Sequence, residues 1–163
     1  IRPARRSGFI PNGRGCRMSA FDVFQVSEKV AELLTASELL PFGVCAVADP
    51  APEYELEELD ALHVAVCPTH VYLADSSRGE QRHQAMIQIG FIQRIREKLL
   101  IPPLVQLEQQ TAEFFRHREF AVDVFSCHVT DTEMDPLYDP DRFRENGEFL
   151  GVVILEIEAL EAN

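Results

Sequence analysis

The stretch FLGVVILEIE, residues 149–158, decides the fold. It is apolar at consecutive positions through Leu155, as expected of a strand that is covered on both faces. Such a strand lies in the centre of a sheet or against a partner. A second long stretch, from about His83 to Arg94, instead alternates in polarity and predicts a long strand with one buried face. Its apolar positions are Ala85, Ile87, Ile89 and Phe91.

Helical and strand-like segments surround these two stretches. Helical spacing of apolar residues predicts helices over about 20–34 and 104–117, the second beginning after Pro102 and Pro103. The inner side of the second helix is expected to carry Leu104, Leu107, Thr111, Phe114 and Phe115. Further strands are predicted over 44–48, 62–67, 71–74 and 121–129. The expected fold is therefore α+β: a mostly antiparallel β-sheet with two α-helices packed on one face, in the order α-β-β-β-β-α-β-β.

The charge of the chain is unevenly distributed. The 163 residues carry a formal net charge of −12, but residues 1–17 hold five arginines and no acid. Residues 18–163 form a single domain with ten basic and 27 acidic residues, a net charge near −17. Such a domain repels nucleic acid in general, because affinity for phosphates depends on Lys and Arg. Residues 1–17 are either a basic N-terminal arm for an acidic surface or upstream sequence joined to a protein that starts at Met18.

The four cysteines, Cys16, Cys45, Cys67 and Cys127, have no short regular spacing, which favours free thiols made in a reducing cytoplasm. No apolar run approaches the ~18 residues of a membrane span, and no apolar region follows the basic start as in a signal peptide. We expect a soluble protein without a membrane partner.

Motifs of catalysis and nucleotide binding are missing from the sequence. Neither GxxxxGK[ST], GxGxxG nor GxSxG occurs. Cys127 and His128 are adjacent, so a strand would point them to opposite faces and they would make a poor nucleophile–base pair. We expect no enzyme activity and no cofactor.

Two groups of residues have the composition of a metal site without its spacing. His63 and Cys67 share a strand face but lie ~13 Å apart along it, too far for one zinc ion without a bulge, and His70 follows across Pro68. Half-buried side chains in a sheet are the favoured interpretation. The acids of the 130–147 loop lack the calcium-loop pattern, because Pro136 and Pro140 interrupt them. That loop is expected to be solvated.

The order of segments resembles the tail terminator proteins of long-tailed bacteriophages. The resemblance covers about residues 19–160, although no single motif in it is diagnostic. The matching pieces are an acidic leucine-containing stretch, a strand ending in Val-x-Val-x-Pro, a second strand, a Ser-Arg turn and a long alternating strand. In this sequence they stand at Leu56–Asp60, Val64–Pro68, Val71–Ala74, Ser77–Arg78 and Ala85–Phe91.

The resemblance implies a structural virion protein at the tail–neck junction, made in the host cytoplasm. Such a protein forms a ring, usually a homo-hexamer, that caps the tail tube, stops its polymerisation and meets a neck or head-completion protein. DNA would pass through the ring without sequence-specific binding, and an acidic wall would let it slide. The candidate inter-subunit or neck contacts are Arg78, Asp135, Tyr138, Arg142, Arg144 and Phe149.

Other functions remain open at the level of sequence. One is a head-completion or neck connector protein, and another is an interaction adaptor unrelated to phage. An enzyme with a site built from scattered residues is the third, and it would require a deep pocket with convergent, pKa-perturbed groups.

Overall fold

A computed structural model describes residues 20–74 and 81–161. Residues 1–17, Met18, Ser77 and Arg78 therefore lie outside the described residues, and so do the expectations that rest on them. The helices are α1 (Val23–Ala36), α2 (Ile101–Phe115) and α3 (Pro140–Asn146). The strands are β1 (Ala46–Ala48), β2 (His63–Ala74), β3 (Arg82–Arg94), β4 (Glu119–Val122), β5 (Phe125–Met134) and β6 (Glu148–Glu161). Short 3-10 turns cover Glu58–Asp60 and Lys98–Leu100.

The strands form one six-stranded sheet in the order β1-β2-β3-β6-β5-β4. Only β1 and β2 run parallel; every other neighbouring pair is antiparallel. The sequence prediction of an α+β fold with a mostly antiparallel sheet is confirmed. The two-sided apolar strand β6 pairs with β3 along its whole length and with β5 on its other side, so it lies in the centre as expected.

The core lies between one face of this sheet and the helices α1 and α2. Val26, Val30 and Leu34 on α1 and Leu104, Leu107 and Phe115 on α2 belong to a single buried cluster with alternate residues of the central strands. Those strand residues include Ile87, Ile89, Phe91, Val153, Leu155 and Ile157. We call this side of the sheet the helix face and the other side the open face.

Both long helices have recognisable starts. Asp22 caps α1, its carboxylate accepting a hydrogen bond of 2.9 Å from the backbone N–H of Phe24. In α2, Pro102 and Pro103 lie in the first turn, where a missing N–H costs no hydrogen bond. Phe114 was expected on the inner side of α2, but it is only half-buried and carries the guanidinium of Arg118 over its ring at 3.8 Å.

Three elements differ from the sequence prediction. Residues 62–67 and 71–74 belong to one strand, β2, with a bulge between Pro68 and His70. The expected strand 121–129 is instead a hairpin, β4 and β5, which turns at Asp123. The loop 130–147 contains the end of β5 and the helix α3. Residues 20–74 and 81–161 therefore contain three helices rather than the two predicted, and their element order is α-β-β-β-α-β-β-α-β.

Candidate assembly surfaces

The segment that was expected to be a solvated loop is an ordered connection from β5 into β6. Asp139 begins α3, its carboxylate accepting hydrogen bonds from the N–H groups of Asp141 and Arg142. Gly147 ends the helix in the left-handed conformation, with φ of 65°. Asp135, before a cis peptide bond to Pro136, donates its N–H to the carbonyl of Val152 on β6.

Two of the predicted contact residues on α3 are tied to neighbouring acids. The Nε of Arg142 donates to Glu148 over 2.7 Å, and this carboxylate is almost wholly buried. Nη1 of Arg144 lies 3.2 Å from Asp141, and both side chains are exposed. Arg142 therefore holds α3 against β6, while Arg144 remains accessible to a partner.

Apart from Asp135 and Arg142, the predicted contact residues fall into three groups. Tyr138 and Arg144 line one cleft of about 210 Å³, together with Lys98. Phe149 is 1% exposed and packs in the core, 6.5 Å between ring centroids from Tyr138, so its side chain offers no contact surface and leaves the candidate set. Arg78 lies outside the described residues.

A basic, partly apolar surface lies beside this cleft, where β3 leads into α2. Arg94, Arg96 and Lys98 stand there against the single acid Glu97, and none of the three forms an ion pair within the described residues 20–74 and 81–161. Leu99, 80% exposed, and Leu100 follow directly. We call Arg94–Leu100 the basic surface.

An acidic surface lies along the edge strand β1 and the connector that follows it. Residues 49–60 contain six acids and no basic residue. Val47 on the edge strand β1 and Leu56 in the connector are exposed, Leu56 by 65%. The exposed acids around Leu56 are Glu53, Glu55 and Glu57. We call Val47 and residues 53–57 the acidic surface.

Aromatic packing fixes the connector against the sheet. The ring of Tyr54 lies 4.4 Å from the ring of His63 at the start of β2, and Nε2 of His63 is 2.6 Å from the carbonyl oxygen of Glu58. Burial, followed by the charges of Asp49 and Glu58, raises the pKa of the Tyr54 hydroxyl. The acidic surface is therefore presented by an anchored segment.

The outer part of β2 has a bare edge. β1 pairs only with Val64–Val66, so within the described residues the segment from Pro68 onward has a neighbouring strand on the β3 side alone. Val71, Tyr72 and Leu73 are exposed there, and residues 67–74 contain no charged side chain. An uncharged apolar strand edge is a ready template for pairing with another chain.

The open face of the sheet is acidic toward β5. Asp131 lies opposite Glu156 in the β5–β6 register, and Glu133 lies opposite Ile154. Glu158 on the same face pairs with Arg82 over 2.6 Å. Like charges that are directly opposite each other cost stability in a sheet, so the Asp131–Glu156 pair is not there to stabilise the fold.

The groups considered for catalysis and metal binding do not converge. Burial raises the pKa of the Cys127 thiol to about 11, and the neighbouring His128 is exposed on the other face of the strand. His63 packs on Tyr54, and His70 packs on Tyr72 with a centroid distance of 5.8 Å. Within residues 20–74 and 81–161, no group of three or more His, Cys, Asp or Glu side chains could hold a metal ion.

A cleft of about 620 Å³ lies between the end of α2 and β5. Its lining residues include Arg116, His117 and Thr132. Arg116 pairs with Glu113 at 3.6 Å, and both side chains are exposed. The cleft therefore contains charged groups, but no cysteine or serine that could act as a nucleophile lines it.

Among the residues that the structure describes, two buried ionisable side chains have no hydrogen-bond partner: Glu108 on α2 and His83 on β3. Glu108 is 0% exposed, and burial raises the pKa of its carboxyl to about 8. His83 stacks on Phe21 at 4.6 Å, and burial lowers the pKa of its ring. The sequence prediction missed both, since neither residue belongs to a motif.

Comparisons with known proteins bear on the fold alone. No protein-family model and no curated protein matches the chain. Solved structures do match: one, a protein whose name states no function, aligns over 86% of this chain and 96% of its own, with a TM-score of 0.55 and 8% identity. No helix in the described ranges is both long and apolar enough to span a membrane. The chain thus has the fold of known structures.

Proposed function

We propose that this protein is a phage tail terminator, a structural virion protein whose copies form a ring that caps the tail tube. The ring stops tube polymerisation and presents a surface to the neck or head-completion protein. The proposal starts from the residue pattern between positions 19 and 160, from Leu56–Asp60 through Ala85–Phe91, which resembles this family.

One structural observation carries the proposal further: large apolar side chains are exposed at separate places on a well-packed domain. Leu56 and Val47 lie on the acidic surface, Leu99 on the basic surface and Leu73 on the bare edge of β2. An exposed apolar side chain surrounded by charged groups has the anatomy of a protein–protein contact, with an apolar centre and a polar rim. A protein that contacts copies of itself, a tube and a neck protein needs several such surfaces.

The acids of the open face suit a channel for DNA. Asp131, Glu133 and Glu156 project from neighbouring strands on one side of the sheet. A wall of such groups repels phosphates and disfavours binding of the duplex, which must pass through. We propose that this face lines the bore of the ring.

The experiment is to purify the full chain, determine its mass by light scattering over a range of concentrations, and add it to growing tail tubes of the parent phage. A ring of six 18.5-kDa chains would have a mass of ~111 kDa. The expected result is a particle of this size, or a ring that forms only on tube ends, together with tubes that stop growing. Electron microscopy of the tubes would show a cap at one end.

Other outcomes identify other functions. A ring that leaves tube growth unchanged but binds the head portal would indicate a head-completion or neck connector protein. A monomer at all concentrations that neither binds tubes nor halts them would overturn the proposal and favour an adaptor.

A further inference from the structure

We propose that copies of this chain associate head to tail, with the acidic surface of one copy docked against the basic surface of the next. The partner is a second copy of this chain. The inference rests on the proposed ring and specifies its contact.

The glutamates of the acidic surface have no ion-pair partner within the described part of their own subunit. Glu53, Glu55 and Glu57 are exposed and form no ion pair within the described part of the chain. Val47 and Leu56 expose apolar side chains among them. An apolar centre with a charged rim is the anatomy of a docking surface that needs an oppositely charged partner.

The basic surface has the matching composition in a different part of the fold. In a domain with a large excess of acids, Arg94, Arg96 and Lys98 fall within five residues, and they precede the exposed Leu99 and Leu100. Arg144 and Tyr138 lie across the small cleft from Lys98, which extends this surface toward two of the predicted contact residues.

The opposite charges of the two surfaces determine which surfaces meet. Each contact in a ring joins two different surfaces, and charge complementarity favours the acidic surface of one copy against the basic surface of the next. A two-fold dimer would pair the same surfaces reciprocally, so the mass of the assembly distinguishes a ring from a dimer. Because the domain carries a strong net negative charge, copies attract one another only where a basic surface meets an acidic one.

Charge reversal tests the contact directly. The first variant carries Glu55→Lys and Glu57→Lys, and the second carries Arg96→Glu and Lys98→Glu. Each alone is expected to weaken self-association at least tenfold, because two like-charged surfaces then face each other. Combining all four substitutions in one chain restores opposite charges and is expected to restore the assembly. The readout is the mass in solution by light scattering, with circular dichroism confirming that each variant folds.

A matched control reverses charge elsewhere. Glu113→Lys alters an exposed side chain on α2 outside both surfaces and is expected to leave the mass of the assembly unchanged. Wild-type association should also weaken as salt rises from 50 to 500 mM, since ions screen the rim charges. Failure of the fourfold variant to recover assembly, or a wild-type chain that remains monomeric both in solution and on tube ends, would overturn the proposal.

Failure of the contact and failure of the function give different results. A ring that responds to charge reversal as expected but does not halt tube growth supports the contact and contradicts the terminator function. If the chain caps tubes but neither pair of substitutions changes the mass of its assembly, the result supports the function and contradicts this contact.

Discussion

The carboxyl group of Glu108, on helix α2, packs directly over the backbone of Gly151 in the central strand β6. A methyl group at position 151 would overlap the carboxyl carbon and both oxygens of Glu108. Gly151 has no positive φ that would require glycine, so the space taken by Glu108 is the reason for a glycine there.

Gly151→Ala should therefore destabilise the domain by about 1–3 kcal/mol through overpacking in the core. Chemical denaturation gives the free energy of unfolding. Gly90→Ala is the matched control on the adjacent strand, because a methyl group there meets only the carbonyl oxygen of Ala65 at an ordinary 3.9 Å. Adding Glu108→Ala to Gly151→Ala should recover much of the loss; two additive losses would show that the residues do not compete for space.

The same carboxyl group predicts a pH dependence of stability. Its pKa is about 8 in the folded protein and about 4.5 when solvated, so the folded chain retains a proton that the unfolded chain loses between these values. The free energy of unfolding should thus fall as pH rises from ~4.5 to ~8, by at most ~1.4 kcal/mol per pH unit, and should level off above. Glu108→Gln should remove this slope, whereas Glu113→Gln, on the exposed side of the same helix, should retain it.

Neither half of this pair could be predicted from the sequence. The hydrophobic spacing of α2 correctly identified Leu104, Leu107, Thr111 and Phe115 as inward-facing, but it assigned the acid at 108 to no role. Gly151 lies in an apolar run that predicts a strand whether or not the run contains a glycine. The close approach of two elements is a tertiary fact that hydrophobic periodicity does not encode.

The sequence did predict the features that hydrophobic pattern controls: the central position of β6, the length of β3 and the two covering helices. The sequence prediction failed at residues whose conformation depends on contacts with other parts of the fold. Pro68 was read as a break between strands, yet it lies beyond the end of β1, where no strand needs its missing N–H. Asp is among the residue types that adopt a positive φ such as the 51° of Asp123, but the apolar residues on either side of it predicted one continuous strand.

The residues of the candidate assembly surfaces could be predicted from the sequence only in part. The start of α3 was visible in principle, since Asp139 precedes Pro140 and Gly147 ends the run, the usual signals of a helix start and stop. Tyr138 and Arg144 were chosen from this segment and are accessible, whereas Phe149 belongs to the core. The sequence analysis did not single out the basic surface, because only the fold brings Lys98 beside Tyr138 and Arg144.

The burial of His83 predicts that its contribution to the stability of the protein falls when the pH is lowered. Burial lowers the pKa of its ring, against a smaller opposing effect of Glu161, so below ~6.5 the unfolded chain binds a proton that the folded chain resists. The contribution of His83 to the free energy of unfolding should therefore fall as pH drops below ~6.5, opposite in sign to the contribution of Glu108 in that range. In His83→Phe, which retains an aromatic ring between Phe21 and Phe125, this acid-side loss should be smaller than in the wild type.

The control for that measurement is His128→Gln, because His128 is exposed on β5. Its pH profile should follow that of the wild type. An acid-side loss that is unchanged in His83→Phe would mean that His83 is protonated in the folded protein.

Thiol reactivity tests the burial of the cysteines. Cys45 is exposed, while Cys127 is buried with a pKa raised to about 11. Brief treatment of the folded chain with iodoacetamide at pH 8 should label Cys45 and spare Cys127, since alkylation requires an accessible thiolate. Peptide mass spectrometry distinguishes the sites, and labelling in denaturant should reach both. Equal labelling of the two in the folded chain would contradict the buried position of Cys127.

The acidic open face yields a prediction about DNA. If Asp131, Glu133 and Glu156 line the bore, the assembled wild-type protein should not bind double-stranded DNA. These acids repel the phosphates, and their contact with DNA releases no bound counterions. Asp131→Lys with Glu156→Lys should create measurable, salt-sensitive binding in a gel-shift assay. Because the double substitution places two lysines opposite each other, a like-charge repulsion remains, and unfolding measurements should show a stability close to that of the wild type. A structure of the ring with a neutral or basic bore would contradict the assignment, since a wall of that kind would retain the duplex that it has to release.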